Sequence, residues 1–133
     1  MNSKTINDIL QKLKKIEFHE DFDTIVAIAR GGILPAALIQ QKLLIDMEII
    51  WLNFRNENQQ PQYDEPMLLK PISFDYNDKR ILLVDDRSRT GKTFEKGRDL
   101  LKRARMVKTF VVNGKADYPL YDEDCFTFPW KLI

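Results

Sequence analysis

Four short runs of the chain, 24–29 (TIVAIA), 47–54 (MEIIWLNF), 80–84 (RILLV) and 107–112 (VKTFVV), are largely apolar and lack sustained polar alternation. A strand buried on one face alternates apolar with polar residues, whereas a strand buried on both faces need not. These runs are therefore predicted to be strands covered on both sides, the condition of a parallel sheet between layers of helix. Helical patterns separate them. Ile6, Ile9, Leu10, Leu13 and Ile16 recur at helical spacing behind a capping box of Thr5 and Asp8. The stretch 33–44 has helical composition, with Pro35 in the first turn where its missing N–H costs nothing. A third helix is expected over 93–105, with Phe94, Leu100 and Leu101 on its apolar side. The expected fold is one α/β domain over 1–133, an open, mostly parallel twisted sheet with helices on both faces.

Composition narrows the function more than it defines it. A formal net charge of +1 over 133 residues exerts no general pull on nucleic acid or membrane, so local charge must recognise any anionic ligand. The basic stretch 96–108 reads as a solvated helix face, not as a nucleic-acid surface. One cysteine, Cys125, and one histidine, His19, allow neither an internal disulfide nor a Cys/His metal cage. No apolar signal core and no run of membrane-spanning length is present, and the expected compartment is the cytoplasm. From Arg55 to about Lys70 the chain is polar and aperiodic, which reads as a long loop of the kind that serves as a lid. Residues 113–133 read as an irregular aromatic tail.

In parallel sheets ligands bind beyond the C-terminal strand ends. That rim would carry Arg30-Gly31-Gly32, Asp85-Asp86 and Asn113-Gly114-Lys115. The most informative stretch is ILLVDDRSRTGKT, residues 81–93. Its Gly-Lys-Thr ending suggests a P-loop, but that motif needs glycine at position 86, where Asp86 would repel a triphosphate. The acidic strand end also suggests a phosphoacceptor receiver domain, which would need most of its sheet after this strand; too few residues follow. Solvated carboxylates and a helix-capping loop would explain any one of these residues, yet two adjacent carboxylates repel and a turn gains little from both. A ligand with two chemical ends reconciles the halves. The carboxylates suit vicinal sugar hydroxyls or Mg²⁺, bound directly or through water. The amides of the turn and the hydroxyls of Thr90 and Thr93 suit a monophosphate at a helix N-terminus. Together they describe a ribose 5-phosphate.

In order and spacing these thirteen residues resemble the PRPP-binding signature of the type I phosphoribosyltransferases. The nearest branch is that of bacterial purine salvage, acting on xanthine, guanine and hypoxanthine. The resemblance implies a Mg²⁺-dependent enzyme that transfers ribose 5-phosphate from PRPP to a purine-like base and releases pyrophosphate. Asp85 and Asp86 would serve catalysis and the metal, and Arg87, Ser88, Arg89, Thr90, Gly91, Lys92 and Thr93 would hold the 5-phosphate. Arg30, Gly31, Gly32 and Arg55 would take the pyrophosphate, and the 55–70 loop would close over it. The C-terminal segment 113–133 would form a short hood over the base, with Lys115, Phe126, Phe128 and Trp130 as its contacts, while residues 1–20 would form an N-terminal helix. Members usually form dimers or larger homo-oligomers, and neither a membrane nor a nucleic-acid partner is implied.

The pattern breaks at Arg89, where 6-oxopurine members carry an aspartate near purine N7. A guanidinium cannot act as that base. Either it pairs with an anionic acceptor or it turns outward as a surface charge. A non-catalytic PRPP or nucleotide sensor on the same fold is the alternative function; Asp85, Asp86 and the Arg30-Gly31-Gly32 run favour an enzyme.

Overall fold

The computed structural model describes residues 3–53 and 65–132; Arg55, with the rest of 54–64, lies outside the described residues. In chain order the elements are α1 (Ile6–Lys15), β1 (Thr24–Ala29), α2 (Ile33–Leu43), β2 (Asp46–Asn53), β3 (Met67–Leu68), β4 (Arg80–Ser88), α3 (Lys92–Leu100), β5 (Met106–Gly114) and β6 (Tyr118–Tyr121). The sheet order is β3-β2-β1-β4-β5-β6. Every neighbouring pair is parallel except β2 and β3. This is the expected open α/β sheet.

The period-2 geometry of the strands sends successive side chains into two cores. Ile25, Ala27, Leu82, Val84, Phe110 and Val112 pack on one face with Ile9 and Leu13 of α1 and Ala36 and Ile39 of α2. Val26, Ile28, Ile81, Leu83 and Val111 pack on the other with Phe94 of α3 and Leu101. The α1 capping box forms as expected, Thr5 Oγ1 accepting from Asp8 N at 3.0 Å and Asp8 Oδ2 accepting from Thr5 N at 2.9 Å. Among the described residues no helix is long and apolar enough to cross a membrane.

Three expectations needed revision. Residues 67–68, expected within the 55–70 loop, form β3 and pair antiparallel with β2. The third helix stops at Leu100 instead of Arg105: fully buried Leu101 anchors the turn, and Arg105 N bonds Lys79 O at 2.9 Å. The tail contains a strand, β6, parallel to β5. Asp117 causes it, because its Oδ2 accepts from both Thr109 N (2.9 Å) and Thr109 Oγ1 (3.1 Å). Those bonds draw the chain back beside β5 soon after it leaves Gly114.

Candidate active site

The C-terminal ends of β1, β4 and β5 form one rim, and glycines bring its loops together. Gly31, just past β1, lies against the Asp86 side chain at the end of β4: a Cβ there would stand 2.5 Å from Asp86 Oδ2. Gly32 leaves no room either, since its Cβ would overlap the Val84 and Ile28 carbonyls. Gly32 also begins α2 without a side-chain cap, so the helix presents its positive end to the rim. Arg30, Gly31 and Gly32 therefore form a backbone-lined loop beside the acidic pair.

Asp85 accepts a 2.8 Å bond from Asp86 N. Burial pushes its carboxyl well above the usual carboxylate range, and the charge of Asp86 adds to that push. After Arg87, Ser88 and Arg89 the chain turns through Thr90 and Gly91 into α3. Gly91 has φ +80°, a conformation that favours glycine, and caps α3 without a side-chain bond. Thr90 Oγ1 accepts from Lys92 N at 3.3 Å. The turn thus stands at a helix N-terminus that no side chain caps through Gly91, a setting suited to phosphate. Ser88 Oγ and Arg87 Nε are buried and without a hydrogen-bond partner among the described residues.

Several expected ligand contacts fall elsewhere. Arg87, expected on the 5-phosphate, instead reaches under the tail: Nη2 donates to Phe126 O at 3.1 Å and the guanidinium sits 4.7 Å from the Phe128 ring centre. Phe126, expected on the base, is 2% exposed and packs edge-on to Tyr121 and Phe128. Phe128 is 6% exposed, with Trp130 stacked on it at 5.0 Å. A base platform needs an open face, so both phenylalanines belong to the core. Trp130 is half-buried and remains available. Lys115 lies exposed at the rim, its Nζ 2.6 Å from Asp122 Oδ2. Arg89 is exposed and reaches across to Cys125, Nη2 to Sγ 2.7 Å.

Sequence reasoning put Asn113 on the rim but missed its hold on the tail, and it missed the N-terminal residues altogether. Asn113 is 4% exposed; its Nδ2 donates to the carbonyls of Glu123 (3.1 Å) and Asp124 (3.3 Å), and its Oδ1 accepts from Glu123 N (3.0 Å). Lys4 pairs with Glu123 at 2.9 Å, and Ser3 bridges Thr127. A buried Asn at a strand end was the available signal, but nothing in the sequence indicated its partner.

An acidic strand end, a glycine loop against it and a phosphate-shaped turn on a parallel sheet define a sugar-phosphate transferase site. Over residues 2–132 the chain matches the model of the phosphoribosyl transferase domain, and it belongs to that family, in its type I, purine-salvage branch. It is 34% identical over 121 residues to the xanthine-guanine phosphoribosyltransferase of Chromohalobacter salexigens, an alignment covering 84% of this chain and 70% of that protein. The corresponding protein of Idiomarina loihiensis is 28% identical over 119 residues, covering 85% and 73%. The crystal structure of a purine phosphoribosyltransferase from Pyrococcus horikoshii superposes with a TM-score of 0.79 at 27% identity, covering 99% of this chain and 95% of that one. The chain is accordingly an enzyme, a phosphoribosyltransferase.

Proposed function

We propose that this enzyme transfers ribose 5-phosphate from PRPP to a ring nitrogen of a purine base, releasing pyrophosphate with Mg²⁺, as a cytoplasmic homo-oligomer. The observation that carries the reading is the contact between Gly31 and the Asp86 carboxylate. It sets a loop suited to pyrophosphate directly against a group suited to ribose hydroxyls, as a ligand bearing both ends requires.

In this reading the 90–93 turn holds the 5-phosphate, and Asp85 and Asp86 accept from the ribose hydroxyls. The backbone of 30–32 receives the pyrophosphate, assisted by the α2 dipole. The ring nitrogen attacks the anomeric carbon as the bond to the pyrophosphate oxygen breaks, and the ring N–H proton leaves for solvent. The protein's contribution is alignment and stabilisation of leaving-group charge. Among the described residues no cluster of three metal-ligating side chains exists. Two carboxylates alone fit Mg²⁺, which is commonly held by one or two of them together with substrate phosphates. Mg²⁺ bound there would neutralise the departing pyrophosphate. Lys115 and Trp130 are the base contacts in this scheme.

The test is pyrophosphate release in the presence of PRPP, Mg²⁺ and, separately, hypoxanthine, guanine, xanthine and adenine. Release is expected with at least one 6-oxopurine. PRPP binding without release from any base would overturn the transferase assignment in favour of a sensor.

A further inference from the structure

Residues 122–126 of the tail are gripped one after another from the rim. Lys115 takes Asp122, Asn113 takes Glu123 and Asp124, Arg89 takes Cys125, and Arg87 takes Phe126. Two of these four grips come from the tripeptide between the acidic pair and the phosphate turn. They differ in setting. Arg89 is exposed, whereas Arg87 is half-buried and lies against both a main-chain carbonyl and an aromatic ring. Burying a guanidinium is costly, and an apolar residue would continue the run Ile81–Val84 more cheaply. The arginine is explained by what it holds.

We propose that Arg87 is a positioning residue for the acceptor base. Its contact with Phe128 continues into the Phe128–Trp130 stack, whose rings are 11° from parallel. Arg87 thereby ties the half-buried Trp130 ring to the strand that carries Asp85 and Asp86. A flat acceptor lying on Trp130 would then have a defined distance from the ribose held by those carboxylates. The planar guanidinium bonds Phe126 O and lies over the Phe128 ring at once, which the point charge of a lysine at the same place would not reproduce. This proposal rests on the phosphoribosyl-transfer reading above.

The experiment compares Arg87→Met and Arg87→Lys with the wild type. Steady-state kinetics measure KM separately for base and PRPP; acrylamide quenching of Trp130 is measured in a Trp51→Phe background, which leaves it the only tryptophan. Arg87→Met should raise KM for the base about tenfold while KM for PRPP stays within about twofold, the scale of losing one charge-assisted hydrogen bond. Trp130 should become more quenchable, and Arg87→Lys should fall between the two. Parallel rises in both KM values, or identical quenching in all three proteins, would overturn the proposal. Should Arg87→Met fail to fold, Arg87→Lys decides by the same readouts. Absence of turnover in the wild type would count against the transfer reading alone, because quenching still reports whether Arg87 holds Trp130.

Discussion

The rim loops and the C-terminal hood meet over the same strand ends, but they are built by opposite means. The rim is shaped by backbone: Gly31 against Asp86, Gly32 against two carbonyls, and Gly91 at φ +80°. Two of its polar atoms, Ser88 Oγ and Arg87 Nε, are buried without a hydrogen-bond partner among the described residues. The hood is held by long side chains reaching to it, from Arg87, Arg89, Asn113, Lys115 and Lys4. Backbone geometry suits a site whose ligand groups are invariant, since main-chain donors cannot be replaced by substitution. Side-chain latches suit a wall that must be adjusted to a particular acceptor. Substitutions on the two sides should therefore fail differently.

The largest effect is expected at Gly31. In Gly31→Ala the new methyl group would stand 2.5 Å from Asp86 Oδ2, so either the carboxylate or the loop must move. Misplacement of a reacting group by about 1 Å can cost about a hundredfold in rate. We expect kcat/KM for pyrophosphate release to fall by at least about that factor. The melting temperature should hardly change, because Gly31 is exposed and outside both cores. Wild-type turnover by this variant would break the comparison, since the rim would then not depend on backbone contact.

The same division explains what was legible in the sequence. The family could be read from residues 81–93 because that resemblance depends on residue type and strict spacing, and the Arg30-Gly31-Gly32 turn was legible as a glycine break at a strand end. The strands were legible because burial on both faces leaves a continuous apolar signal. The hood was not legible, because the reach of Arg87 to Phe126 spans 39 positions and leaves no local pattern. Phe126 and Phe128 illustrate the error directly: an aromatic residue looks the same in sequence whether its ring is open or enclosed. The strand β6 was missed for a related reason, since Pro119 and Asp117 are turn signals, and only the pairing of Asp117 with Thr109 makes the segment a strand. Arg89 left two readings open, and the structure adds a contact with Cys125 that neither included.

On the hood side, a smaller and different effect is expected at Asn113. Asn113→Ala removes the donors to Glu123 and Asp124 and the acceptor for Glu123 N at a site only 4% exposed. Losing such a cluster should cost about 2 kcal/mol of stability in urea denaturation. KM for the base should rise more than KM for PRPP. Unchanged stability would mean that the hood is held by its aromatic core alone.

The smallest effect carries the opposite sign and gives the sharpest contrast. The Asp85 carboxyl is held above its usual range by burial and then by Asp86, so the folded protein binds this proton more tightly than the unfolded chain. Its contribution to stability is present below the unfolded-state value and is lost as pH rises through the raised folded-state value. Above the ordinary carboxylate range, keeping this acid buried is therefore a cost to the ligand-free fold. In Asp85→Asn the amide oxygen can keep the bond from Asp86 N while the charge is gone. The variant should melt a few degrees higher than the wild type at neutral pH. The gain should shrink as pH falls into the range where Asp85 is protonated. Truncating a polar group of the hood would then destabilise the protein, whereas neutralising one at the rim would stabilise it. A lower melting temperature for Asp85→Asn at neutral pH would show instead that this carboxylate supports the fold, as Asn113 does.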